Sequence, residues 1–267
     1  MFYFIVITLL TLCGPVVADT ILNGDLTQGG IVFGETKPGF EITLDGKPIR
    51  VSSDGYFLLG FSRDAKTDSE LVIRDLKGGT QKRSLKIKQR KFKIQRINGL
   101  PKKFVSPPNH ILSRIREENK KIKKVRLFDR DEVFFRSGFI MPAQGRISGV
   151  YGSQRILNGQ PRQPHFGIDI AAPSGAKVVA PADGIVVLAE EDLYFSGGTV
   201  ILDHGHGLTS AFLHLKKILV KAGDLLVQSD VLGLVGSTGR STGPHLDWRV
   251  NLFQKRLDPA LLVSKKK

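Results

Sequence analysis

From Phe139 to the C-terminus the chain runs as short segments in which apolar and polar residues alternate, separated by glycine and proline. Alternation of period two puts one face of an extended segment into a core and the other toward solvent, and Gly and Pro punctuate such segments as turns. The pattern predicts a mainly antiparallel β domain over residues 139–267. The upstream half reads the same way. Phe40, Ile42 and Leu44 alternate with polar residues ahead of Asp45-Gly46, a hairpin signal; Tyr56–Phe61 and Leu71–Ile73 follow, and Leu85, Ile87, Phe92 and Ile94 mark the last strands. A small β-sandwich over residues 19–98 fits this spacing. The fold class expected is therefore all-β, with two domains, which a mature chain of about 250 residues is long enough to supply with separate cores.

Between the two lies a basic linker, residues 99–138, with one helix. Ser106 can cap a helix beginning at Pro107, and Ile111, Ile115, Ile122 and Val125 recur at near-helical spacing. So narrow an apolar stripe predicts packing on one of the domains. No internal repeat is evident.

Residues 2–13 form an apolar run, and Val16-Val17-Ala18 precedes Asp19, which together suit a signal peptide of residues 1–18 cut after Ala18. An uncleaved N-terminal anchor is the alternative. Export to the periplasm or cell envelope, or secretion, is expected. The single cysteine, Cys13, falls within the leader, so no disulfide stabilises the mature chain.

Charge is unevenly placed. The net formal charge is +15, and residues 74–126 carry 19 Lys and Arg against 3 Asp and Glu, so this one segment accounts for the whole excess. It reads either as a solvated face or as a patch that concentrates the protein on an anionic envelope polymer or membrane surface. Only Phe92 and Phe104 interleave with these cations, no nucleic-acid recognition motif is present, and a leader directs the chain elsewhere. Nucleic acid is therefore not an expected partner.

Three fragments carry chemistry: His165-Phe-Gly-Ile-Asp169, Phe212-Leu-His214-Leu215 and Gly243-Pro-His245-Leu-Asp247. On a strand, residues two or four apart share a face, so His165 with Asp169, and His245 with Asp247, can converge above a sheet. Imidazole and carboxylate are the donor types of metallohydrolase centres. Asp203-His-Gly-His-Gly207 has metal-pair spacing too, but its glycines read as a turn between strands Thr199–Leu202 and Leu208–Leu213. His110, His204 and His206 are accordingly read as ordinary surface or core residues. Gly236-Ser-Thr-Gly-Arg-Ser-Thr-Gly243 lacks the ending of a phosphate-binding loop and leads into a strand, so it reads as a turn that lets backbone approach the site. Arg240, Tyr151 and Arg155 are weaker candidates, and Arg249 continues the alternation of His245 and Asp247, facing either the cleft or an exposed ion pair.

These fragments, with Pro164–Pro173, Gly175–Gly184 and Gly236–Leu246 in this order, resemble the lysostaphin/LytM-type zinc metallopeptidases, which cut peptide cross-links of bacterial cell walls. The resemblance covers roughly Met141 to Val263. It implies a C-terminal antiparallel β-sheet groove, one divalent ion (zinc, or another divalent metal) held by His165, Asp169 and Asp247, and His214 and His245 as catalytic residues acting on peptidoglycan. At Asp247 the chain departs from the family, whose last motif is His-x-His. A carboxylate can ligate zinc, but two carboxylates and one neutral His leave the ion formally neutral and a weaker Lewis acid. Two alternatives stand beside the peptidase: a catalytically degenerate wall-binding or amidase-activating regulator, and a structural envelope-tethering protein.

Overall fold

The computed structural model describes residues 20–263; the expected signal peptide, residues 1–18, lies outside the described residues. Strands β1 (Ile21–Gly24), β2 (Ile31–Glu35), β3 (Glu41–Leu44), β4 (Lys47–Ile49), β5 (Tyr56–Gly60), β6 (Asp68–Arg74) and β7 (Thr80–Lys86) form two antiparallel sheets, ordered β1-β2-β5 and β4-β3-β6-β7. Val32, Phe57 and Leu59 of the first sheet face Ile42, Leu44, Leu71, Ile73 and Leu85 of the second, with Ile87 completing the core. This is the expected sandwich. Strands β2 and β5 of its first sheet are buried on both faces, because Ile31 and Leu58, pointing the other way, join the core of the C-terminal half. That is why Tyr56-Phe-Leu-Leu-Gly60 is nearly continuously apolar. Each fully buried side chain of this size contributes roughly 1.5–3 kcal/mol by leaving water.

Strand β8 (Ile94–Ile97) does not close the sandwich, as its apolar pattern led us to expect. It pairs in parallel with a strand of the C-terminal half, Gln154 opposite Ile94 through Leu157 opposite Ile97. Ile94 is exposed, unlike Leu85 and Ile87, which marks where the chain leaves the sandwich core.

The helix also begins later than Ser106 and Pro107 predict. A short helix α1 (Lys102–Val105) ends at Ser106, which is its C-cap, and the long helix α2 (Leu112–Val125) starts only after a 3-10 turn at Asn109–Ile111. The reason is steric: Pro108 disfavours helical geometry at Pro107 before it, and Pro108 itself is extended. The predicted stripe does pack: Ile122 and Val125 cover Leu188, Ile201, Ala211 and Leu213.

The C-terminal half holds β9 (Arg146–Gly149), β10 (Gln154–Leu157), β11 (Gln160–Pro161), β12 (Ile168–Ala171), β13 (Lys177–Val179), β14 (Gly184–Leu193), β15 (Gly197–Asp203), β16 (Leu208–Ile218), β17 (Leu225–Leu226), β18 (Val231–Val235), β19 (His245–Leu252) and β20 (Lys255–Leu257). Ten of these form one sheet whose main path is β17-β14-β15-β16-β19-β12-β9. All its pairings are antiparallel. One face buries Phe212, Leu246, Trp248, Val250 and Ile170. The alternating residues of β16 and β19 therefore project to the other face, where Leu213 lies opposite Asp247 and Ala211 opposite Arg249. Among the described residues no helix is long and apolar enough to cross a membrane.

Candidate metal centre

Strands β12 and β19 are neighbours in register, and Asp169 pairs directly with Asp247. Cross-strand partners share a face, so the two carboxylates stand side by side, an arrangement that repels unless cations intervene. Two arginines do. Arg155 Nη2 donates to Asp169 Oδ2 at 3.0 Å, and Arg249 grips both oxygens of Asp247, Nε to Oδ1 at 3.0 Å and to Oδ2 at 3.1 Å and Nη2 to Oδ2 at 2.6 Å. Room for the carboxylates comes from two glycines: a Cβ on Gly149 would lie 2.1 Å from Asp169 Oδ2, and one on Gly167 would lie 2.6 Å from Asp247 Oδ1.

His165 reaches the same point from a loop and not from the strand that its spacing to Asp169 suggests, since β12 begins only at Ile168. Backbone bonds fix that loop: His165 N donates to Ser153 O at 2.8 Å, and Gly152 N donates to His165 O at 2.7 Å. His165 Nε2 comes within 3.1 Å of Asp169 Oδ1. The candidate donor atoms of His165, Asp169 and Asp247 all lie within 4.8 Å of one another, and all three residues are buried.

His214 and His245 stand next to this cluster with ring centroids 4.9 Å apart. His245 follows from strand alternation with Asp247. His214 does not, because simple alternation from Leu213 would send it to the opposite face. It has φ +66°, and here β16 changes partners, pairing with β19 as far as Leu213 and with β18 from Leu215 onward. Such a backbone conformation costs on the order of 1–3 kcal/mol in a non-glycine residue and re-aims a side chain. Each ring is held by a carbonyl: His214 Nδ1–H donates to Thr238 O at 2.7 Å, and His245 Nδ1–H donates to Gly243 O at 2.8 Å. Since carbonyls only accept, each ring carries a hydrogen on Nδ1 and turns Nε2 away from that carbonyl. Burial pushes His214 down to about 4, against the charges of Asp247, so at neutral pH it is unprotonated.

Burial works to raise the carboxyls of Asp169 and Asp247, yet both are held below the usual range, Asp169 by His165 and Arg155 and Asp247 chiefly by Arg249. Both are therefore anions ready to hold a cation. Among the described residues His165 Nδ1 is buried without a partner, and His165 Nε2 and Asp169 Oδ1, 3.1 Å apart, face each other without hydrogen-bond geometry. Such atoms are costly to leave unpaired. One imidazole nitrogen and carboxylate oxygens that converge in this way fit a divalent ion.

The weaker candidates separate. Arg155 and Arg240 line the groove with His214 and His245. Tyr151 does not: it is buried, with its hydroxyl donating to Arg256 O at 2.8 Å. The Asp203–Gly207 segment is the expected turn, between β15 and β16. His204 is a satisfied core residue, Nδ1 donating to Asp183 O at 2.6 Å and Nε2 facing Ser210 Oγ at 2.8 Å, and His206 is buried against Phe135. Arg249 was the residue the sequence undervalued. Its only signal was its position two residues after Asp247, which places both on one strand face.

Comparison with known proteins agrees with this geometry. Residues 163–259 match the model of Peptidase family M23. An uncharacterized metalloprotease of Buchnera aphidicola is 39% identical over 121 residues, which is 45% of this chain and 32% of that protein. The peptidoglycan DD-endopeptidase ShyA of Vibrio cholerae is 37% identical over 129 residues, 45% of this chain and 30% of that one. The match thus spans about a third of the length of these relatives. A crystal structure described as a peptidase M23 of Pseudomonas aeruginosa superposes with a TM-score of 0.70 at 29% identity, over 90% of this chain and 95% of that one. The β groove carrying His165, Asp169, His214 and His245 falls within the part of the chain that is similar to M23 peptidases. The similarity to peptidase family M23 is thus confined, as a family match, to residues 163–259.

Proposed function

We propose that the protein is an exported metalloendopeptidase that hydrolyses peptide cross-links of bacterial peptidoglycan. The observation that carries this reading is the convergence of His165, Asp169 and Asp247 within 4.8 Å, beside two histidines whose rings are 4.9 Å apart. The names of the relatives supply the substrate class. His165, Asp169 and Asp247 would hold the ion, zinc or a similar divalent metal. When bound, such an ion polarises a scissile carbonyl and lowers the pKa of water.

The chain's own residues supply the rest. His214, neutral at working pH with Nε2 free, accepts a proton as the attacking water is used. His245 presents a second free Nε2, which lies 3.8 Å from Asp169 Oδ1, and works with His214 in passing the proton to the departing amine. Thr238 O and Gly243 O keep both rings in one tautomer, so each points the same nitrogen at the substrate throughout. Arg155 and Arg249 hold the two carboxylates against their mutual repulsion.

A second reading has one observation in its favour: Asp169 and Asp247 are each already paired with a guanidinium, so the pair of carboxylates is neutralised by protein alone. That suits a wall-binding protein which does not cut. One experiment separates the readings. Mature protein is incubated with purified peptidoglycan, with and without chelator, and released fragments are identified by mass spectrometry. Chelator-sensitive release of peptide-bond cleavage products is expected; binding to the wall with no fragments at any metal concentration would overturn the peptidase.

A further inference from the structure

We propose that Arg240 forms a carboxylate-binding subsite in the groove, selecting substrates whose amine-side residue carries a free α-carboxylate. This rests on the peptidase reading and adds a substrate requirement to it.

Three guanidinium groups stand around Asp169 and Asp247. Arg155 bonds Asp169, and Arg249 bonds Asp247. Arg240 reaches no carboxylate among the described residues; its side-chain hydrogen bond is to Phe104 O, at 3.4 Å. Counting the three arginines against the two carboxylates leaves one cation over, and a divalent ion would add to that excess. The uncompensated charge sits in the cavity of about 260 Å³ that Asp169, His214 and His245 also line.

Arg240 is also held in place. Its backbone N–H donates to Phe195 O at 2.8 Å, and its guanidinium carbon lies 4.6 Å from the centre of the Phe195 ring. Stacking of this kind fixes the guanidinium plane while leaving its edges free. Burial, with Arg155 and Arg249 close by, pushes the group down to about 10, so it remains charged at neutral pH while poorly hydrated. A half-buried cation with unused donors gains most from a planar anion that takes two parallel N–H bonds. A carboxylate does this; a carboxamide leaves the charge unmatched.

The chemistry of the reaction then says whose carboxylate it is. The carbonyl-side residue has spent its own α-carboxyl in the scissile bond. The nearest free α-carboxylate belongs to the residue that supplies the amine. That describes two substrates: a C-terminal residue, and a cross-link made through a side-chain amine whose residue keeps its α-carboxylate.

The test uses the full mature chain as purified and a matched pair of probes, N-acetyl-D-alanyl-D-alanine and its C-terminal carboxamide. Cleavage is followed kinetically and binding by calorimetry, for the wild type, Arg240→Gln and Arg240→Lys. The wild type is expected to favour the acid over the amide by about 10- to 100-fold, the range of one charge-assisted contact, mainly through KM. Arg240→Gln should bring that ratio to near 1, and Arg240→Lys should restore part of it. Equal handling of acid and amide by the wild type would overturn the proposal, as would an unchanged ratio in Arg240→Gln. If neither probe is cut but the wild type binds the acid preferentially and Arg240→Gln does not, the subsite stands, and the peptidase reading is decided by the peptidoglycan digestion alone.

Discussion

Asp247 and Arg249, two residues apart on β19, are joined through both carboxylate oxygens, with Nη2 to Oδ2 at 2.6 Å and Nε to Oδ1 at 3.0 Å. The pair behaves as one unit, and neither member can be exchanged alone. Asp247→His would supply an imidazole donor yet leave the half-buried Arg249 without its anion, a loss below the roughly 3–5 kcal/mol of a fully buried pair. The double change Asp247→His with Arg249→Gln removes the stranded charge. We expect the single variant to unfold at markedly lower denaturant concentration and the double variant to regain most of the loss. Equal stability of the single variant and the wild type would show that Arg249 finds another partner.

The roles of the two groove histidines predict a separation between metal content and turnover. His214→Ala and His245→Ala should each lower hydrolysis by about 100- to 10,000-fold, the usual worth of a positioned proton carrier. Both should retain about one divalent ion per chain by elemental analysis, whereas Asp169→Ala should lose it, because a catalytic centre of this kind needs three protein ligands. Loss of the ion from His214→Ala would make that residue a ligand.

His204 predicts an acid limb in the stability profile. Burial lowers it from 6.5 to about 4, opposed by its bond to the Asp183 carbonyl. The unfolded chain therefore takes up a proton between those values that the folded chain refuses. Stability is full above pH 6.5, falls as pH drops toward 4, and levels off below, by on the order of 3 kcal/mol for this group. His204→Gln removes this one proton from the linkage, so the difference in unfolding free energy between variant and wild type should change across that window. A difference constant from pH 7.5 to 4 would mean His204 does not titrate there.

The basic stretch 74–126 predicts salt-sensitive attachment to the wall. Contacts made by exposed Lys and Arg are screened beyond roughly 8 Å at physiological ionic strength. Cosedimentation with peptidoglycan should weaken steeply between low and high salt. Binding that ignores salt would place the contacts in the groove. Part of the segment is committed internally, Arg90 to Asp258 and Lys121 to Glu190, so those cations are not available to a polymer.

What the sequence revealed and what it hid divide along physical lines. His245 and Asp247 are legible because β19 is regular and period two applies. Asp169 opposite Asp247 depends on register between strands some eighty residues apart, which local pattern does not encode. His214 required a left-handed backbone turn at a non-glycine residue, a conformation imposed by the switch of partners from β19 to β18. Ile94 looked like one more sandwich strand because alternation tells which face is apolar and not which sheet the strand joins. The helix start failed for a local reason: Ser106 as a cap was outweighed by two successive prolines.

The pairing of β8 with β10 has a practical consequence for anyone isolating the C-terminal half. A fragment beginning at Phe139 would lack Ile94–Ile97, and β10 would then display an open row of backbone donors and acceptors. Open edges of this kind recruit strands from other molecules. Such a fragment should self-associate, and its groove, deprived of the wall that Gln95, Ile97 and Leu100 provide, should accept bulkier peptides than the whole protein does. The truncated fragment would thus be both less selective and sticky for the same reason.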